Sequence, residues 1–132
     1  MGMSSADKLE HQLDAERAVI GAMLIDPDII RSALSKVRDA DFFNPANRLI
    51  FQAARALFRE GGAPDAFTIR DKVGPNYSQY MAELMEVTPT SANWEEYADA
   101  MRDQATVRRI HDLADKLLKT EEANIKEMKR FL

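Results

Sequence analysis

The chain contains no cysteine. That excludes a disulfide framework, a thiolate nucleophile and a cysteine-based zinc site. Its two histidines, His11 and His111, stand far apart without a metal-ligand spacing, so no metal site is expected. Glycine is scarce, at five residues, and none of them belongs to a phosphate-cradling G-x-x-x-x-G-K-[ST] loop or to a G-x-G-x-x-G turn. Neither a nucleotide nor any other cofactor is therefore expected in this chain. No apolar run approaches the roughly 20 residues that a membrane span requires, and the start, "MGMSSADKLEHQ", lacks the apolar centre of a leader peptide. A cytoplasmic protein without a membrane partner is the expectation. A basic surplus is missing as well. The net charge is −4, whereas affinity for duplex DNA rests on neutralising phosphates.

The 132 residues suffice for one domain with a real core. Charge is unevenly spread along them. Residues 106–132 hold seven basic and five acidic side chains, a net +2, which leaves −6 for the first 105. A basic tail on an acidic head suits protein binding, although two solvated faces would look the same. Direct binding of single-stranded DNA would need stacking platforms, and Phe131 is the sole aromatic in that tail, so little nucleic-acid binding is expected. Paired carboxylates such as Glu95 and Glu96 splay around a helix instead of converging, and no serine has a visible base partner. No catalytic residue is assigned.

Helical periodicity dominates what is present, and no strand-like alternation of useful length occurs. Asp14 is expected to cap a first helix, with Leu13 stapled against Ala18 and with Val19, Ile20, Met23 and Leu24 facing inward. Asp26 and Pro27 are expected to open a second, whose inner face is Ile29, Ile30, Ala33, Leu34 and Val37. In "DFFNPANRLIFQAARALF", Asn44 caps, Pro45 takes the first helical position, and Leu49, Ile50, Ala53, Leu57 and Phe58 point to the core. Phe42 and Phe43 plug the gap before that cap. Asp65 or Thr68 caps a short helix broken at Gly74, and Tyr77, Tyr80, Met81 and Leu84 share a further face. Ser91 or Asn93 then starts the longest periodic stretch.

Residues 95–118 contain neither glycine nor proline. Tyr97, Met101 and Ala105 belong to the head, and Val107, Ile110, Ala114 and Leu117 then fall at spacings of three, four and three, a narrow seam of the coiled-coil kind. Leu118 adjoins it, and Ile125, Met128 and Leu132 restart it after the polar "KTEEAN". Either one helix carries an interrupted seam or two helices fold back at Thr120. The fold class read from this is all-α. An orthogonal bundle of about five to six helices forms the head, and a long helix or helical hairpin follows. The domain reading is a disordered tail over 1–10, a head over 11–105, and a self-pairing segment over 106–132. Arg108, Arg109, Lys116 and Lys119 beside the seam are candidates for docking a partner.

Three ordered stretches carry a resemblance. "HQLDAERAVIGAMLIDPDII" resembles the opening of the DnaB-type replicative helicase N-terminal domain, through His11, Asp14, Ala15, Glu16, Gly21, Leu24 and Asp26. "DFFNPANRLIF" is similar to that family's Asp-Phe-Tyr or Asp-Phe-Phe turn and following helix at Asp41, Phe42, Phe43, Arg48, Ile50 and Phe51, with Asn47 where histidine is usual. "YSQYMAELMEVTPTSANWEEYADAMRDQATVRRI" matches at Tyr80, Ala82, Glu83, Leu84, Thr88, Pro89, Ser91, Ala92, Asn93, Tyr97, Ala98, Arg102, Arg108 and Arg109. "DKVGPNYSQY" and "KTEEANIKEMKRFL" are shorter than the family's corresponding segments. The resemblance implies a non-catalytic collar domain that forms homodimers and, in a full-length parent, a hexamer, and that docks primase or a helicase loader. It places ATP and magnesium in a separate motor domain that such a parent would carry. A free-standing phage or plasmid mimic of the collar, acting as an adaptor or decoy for primase, loader or helicase, is the alternative.

Overall fold

The computed structural model describes residues 4–131. Six α-helices follow one another: α1 (Ser5–Ile25), α2 (Ile30–Lys36), α3 (Pro45–Arg59), α4 (Ala66–Val73), α5 (Ser78–Val87) and α6 (Trp94–Lys129). Short 3₁₀ turns at Pro27–Ile29, Asp39–Asp41 and Pro75–Tyr77 join them, and no strand occurs among the described residues. Five helices thus make the head with the first part of a long sixth, as the all-α reading expects.

Two local caps form as their chemistry dictates. The Asn44 side chain accepts from the backbone N–H of Ala46 and Asn47 at 2.8 and 3.2 Å, with Pro45 in the first turn. Asp65 accepts from the Thr68 N–H at 2.8 Å while the Thr68 hydroxyl accepts from the Asp65 N–H, a reciprocal pair. The Thr68 N–H and hydroxyl, both donating to the Asp65 carboxylate, hold it below the usual carboxylate range. Gly61 and Gly74 take positive φ values of 85° and 95° where α3 and α4 end.

Other expected caps do not form. α1 begins at Ser5, not after Asp14, since Ser4 Oγ accepts from the Asp7 N–H at 3.1 Å. Residues 5–10 are therefore helical where a disordered tail was expected, and residues 1–3 of that tail lie outside the described residues. Asp14 sits mid-helix and pairs with Arg17 at 3.0 Å, so no staple from Leu13 is formed around it. Asp26 makes no side-chain cap; its carboxylate accepts from the Ser91 hydroxyl at 2.7 Å and ties the end of α1 to the start of α6. Ser91, spent on Asp26, does not cap α6, and Asn93 makes no side-chain cap either.

α6 is one continuous helix of 36 residues. Thr120, where a fold-back was the alternative, lies within it, its hydroxyl donating to the Lys116 carbonyl at 2.8 Å.

α1 is the centre of the head. Val19, Ile20, Ala22, Met23 and Leu24 are all buried, a helix apolar around most of its girth because α3, α5 and α6 surround it. Gly21 permits the closest of these approaches. A Cβ placed there would lie 2.0 Å from Thr88 Oγ1 and 3.3 Å from the Leu84 carbonyl oxygen. Phe42 packs on Phe51 with ring centroids 4.9 Å apart and is fully buried, but Phe43 turns outward at 44% exposure. Phe58 and Tyr97, both expected inside, also lie at the surface; Phe51 and Ala98 occupy the inner positions instead.

Candidate self-association surface

The first part of α6 meets the head through Trp94, Ala98, Met101 and Ala105, all buried. At about 100° per residue these four span a face only about 60° wide. Beyond Ala105 no residue of α6 is buried, and the helix projects as an arm of about 36 Å to Lys129.

The arm carries its own apolar face. Val107, Ile110, Leu117 and Leu118 are exposed as a row, Ile110 at 58% and Leu117 at 62%, and Ala114 lies exposed among them. Leu113, Ile125 and Met128 belong to the same face; Phe131 is exposed in the turn past the helix end, and Leu132 lies outside the described residues. Helical projection puts the residues of this face on an arc about 140° wide. A narrow seam was expected, so its width needs correcting. The spacing template three-four-three passed over Leu113, although Leu113 stands four residues before Leu117. Glu121 and Asn124 fall within the same arc and divide it. The arm's apolar face lies about 160° around the helix from the face that the head buries. The apolar side therefore changes hands at Ala105.

The four cationic candidates separate into two pairs. Lys116 and Lys119 are exposed on the side of the arm opposite its apolar face. Arg108 and Arg109 turn back to the head. The Arg108 guanidinium lies over the Phe43 ring, 5.3 Å from its centroid. Arg109 donates to the Asp41 carboxylate at 3.2 Å and to Thr106 Oγ1 at 3.3 Å.

Behind this joint lies a buried polar network that the sequence reading missed. Glu16 is fully buried. Its carboxylate accepts from the Gln12 amide at 2.8 Å, from the backbone N–H groups of Phe43 and Asn44 at 2.9 and 3.1 Å, and from the Asn47 amide at 3.3 Å. Gln12 also donates to the Asp41 carbonyl at 3.1 Å, and the Tyr80 hydroxyl donates to Asn47 Oδ1. Burial pushes the Tyr80 phenol above its ordinary range, with Arg17 pulling the other way, which keeps it a proton donor. The available signal was a lone Glu between Ala15 and the apolar run of α1. Four donors converging on one carboxylate lock the α1–α3 connection. Beside them the Gln12 Oε1 is buried without a partner among the described residues. Among the described residues no group of three or more His, Asp or Glu could hold a metal, and no helix is long and apolar enough to cross a membrane.

Known proteins share this architecture. The chain is similar to the N-terminal domain of DnaB helicase from Mycobacterium tuberculosis at 28% identity and a TM-score of 0.76, over 85% of each chain. The corresponding domain from Helicobacter pylori, described with its interactions with primase, shares the fold at a TM-score of 0.77 and 22% identity, over 91% of this chain and 99% of that one. Among replicative DNA helicases named DnaB, that of Treponema pallidum is 34% identical over 113 residues, covering 79% of this chain and 25% of the relative. That of Buchnera aphidicola is 28% identical over 118 residues, 84% of this chain and 26% of the relative. The chain thus spans about a quarter of the length of these relatives. The model of the DnaB-like helicase N-terminal domain matches residues 8–103, and the chain belongs to that family.

Proposed function

We propose that this chain is a non-catalytic assembly domain of a replicative DNA helicase, a head that carries a self-pairing arm. The observation that carries the reading is the row of exposed apolar residues on α6, from Val107 to Met128. A stripe of that length and width is a liability on a lone molecule. In an isologous dimer each copy covers the other with the same patch. Its breadth suits bundle packing, in which more than one helix meets the arm, better than a two-stranded coil. Such pairing would organise the hexameric ring of a full-length parent, whose ATP- and magnesium-dependent motor would be a separate domain working in the cytoplasm.

Light scattering tests the pairing. The unmutated chain is expected as a dimer or larger, and Ile110→Asp with Leu117→Asp as a monomer of unchanged helicity. A monomeric unmutated chain at high concentration sinks the reading. Pairing through the apolar stripe leaves Lys116 and Lys119 outward, so these two are assigned to docking primase or a helicase loader. Charge reversal at both should weaken capture of primase without changing the oligomeric state. Equal capture by both forms would remove the lysines from the docking surface.

A further inference from the structure

We propose that Arg108 and Arg109 are positioning residues that clamp the root of the arm to the head and so set the direction in which the apolar stripe points. The inference does not depend on what covers that stripe. Both arginines occur just past Ala105, the last buried residue of α6, so they are the first groups able to steer the helix after it leaves the core. They lie on the side of α6 that continues its buried face, away from the apolar stripe. Each meets a different part of one segment, Arg108 the Phe43 ring and Arg109 the Asp41 carboxylate, which is itself 2% exposed.

That segment is braced from behind. Gln12 holds the Asp41 carbonyl, and Glu16, one turn along α1, holds the N–H groups of Phe43 and Asn44. The Asp41 carboxylate also accepts from the Arg38 N–H at 2.9 Å, which aims its other oxygen at Arg109. A buried carboxylate in the core of the head thus transmits its fixed position, through three consecutive residues, to the base of the arm.

Leverage explains why such a clamp matters. A free helix bends little over this length, so uncertainty in the arm comes from rocking of α6 at its root. A tilt of about 10° displaces the tip of a 36 Å arm sideways by about 6 Å, a large part of the roughly 8–10 Å between packed helix axes. An error of that size would take the outer part of the stripe out of packing distance of a partner.

Because the chain has no cysteine, spin labels can be placed at Ala82→Cys in α5 and Ala123→Cys on the polar side of the arm without other changes. Pulsed EPR on labelled chain diluted into excess unlabelled chain then reads the distance within one molecule. With Arg108→Gln and Arg109→Gln the distance distribution should broaden by about 6 Å, while the thermal midpoint of the head stays close to the parent's. Phe43→Ala with Arg109→Gln reaches the same joint from its other side and should give the same broadening. Lys116→Gln with Lys119→Gln should leave the width unchanged. A distribution of parental mean and width in both clamp variants overturns the proposal, as does equal broadening in the lysine control.

Discussion

The two parts of α6 belong to one uninterrupted helix, yet their apolar residues serve opposite ends. Trp94, Ala98, Met101 and Ala105 face α1 and complete the core; Val107, Ile110, Leu117 and Met128 face away from it and remain uncovered. Both sets recur at helical spacing, so periodicity alone establishes that each is a face. It does not establish what each face meets. The informative feature is the rotation between them. One rigid helix cannot present both faces to one head, because about 160° separates them. The head leaves the second face uncovered.

The largest expected break lies beneath the first part of α6. Glu16→Ala removes the shared acceptor of four donors, two of them part-buried backbone N–H groups, and should cost about 3–5 kcal/mol of unfolding free energy, since each hydrogen bond to a charged group contributes about 1.5–3 kcal/mol. Urea denaturation followed by circular dichroism reads it. A loss under 1 kcal/mol would show that water replaces the carboxylate at little cost.

A matched pair of truncations tests the comparison directly. Met101→Ala should cost about 2–5 kcal/mol because it empties a fully buried site. Ile110→Ala, on the same helix, should change head stability by under about 0.5 kcal/mol. Measured at a concentration where self-association is absent, similar losses at both sites would erase the distinction between core and arm.

Gly21→Ala should cost about 1–3 kcal/mol through overpacking against Thr88. Adding Thr88→Ala should restore part of that loss, since the nearest atom is removed, and a double-mutant cycle gives the coupling. Additive losses would place the strain at the Leu84 carbonyl instead.

The smallest effect is the pH dependence at Asp65. Its folded carboxyl is held low by hydrogen bonds from Thr68, so its contribution is fully present above the unfolded carboxylate range and is lost as pH falls through the folded value. Asp65→Asn should flatten the acid limb of the stability curve slightly while leaving the neutral region nearly level. An unchanged acid limb would assign the acid sensitivity to other carboxylates.

Legibility in the sequence followed the range of the interactions. Asn44 and Asp65 act on N–H groups two or three residues away, and both caps were readable. Asp26 has the same chemistry but bonds Ser91, 65 residues on, so its local role could not be inferred from its neighbours. Phe42 and Phe43 are adjacent aromatics, and only tertiary packing decides that one enters the core and the other serves as a platform for Arg108. Arg108 and Arg109 read as free cations because their partners at 43 and 41 are remote in sequence. Glu16 was hidden among residues that resembled a family opening; its burial becomes intelligible once the turn at 42–44 folds over it. The arm's apolar residues were legible as a face because none of them is buried against the head, although the width of that face and the choice between one helix and a fold-back were not.

Placing α1 at the centre of the head, with α6 as a principal neighbour, has a consequence for folding order. In chain order α1 is completed by α6, across separations such as the 65 residues between Asp26 and Ser91 and the 68 between Asp41 and Arg109. Helical proteins usually fold fast because their contacts are local, but here closure of a long loop must precede core formation. During synthesis the apolar girth of α1 waits, partly sheltered by α3 and α5, until Ala105 has emerged. Chain growth, not helix formation, then sets the moment at which the head can close.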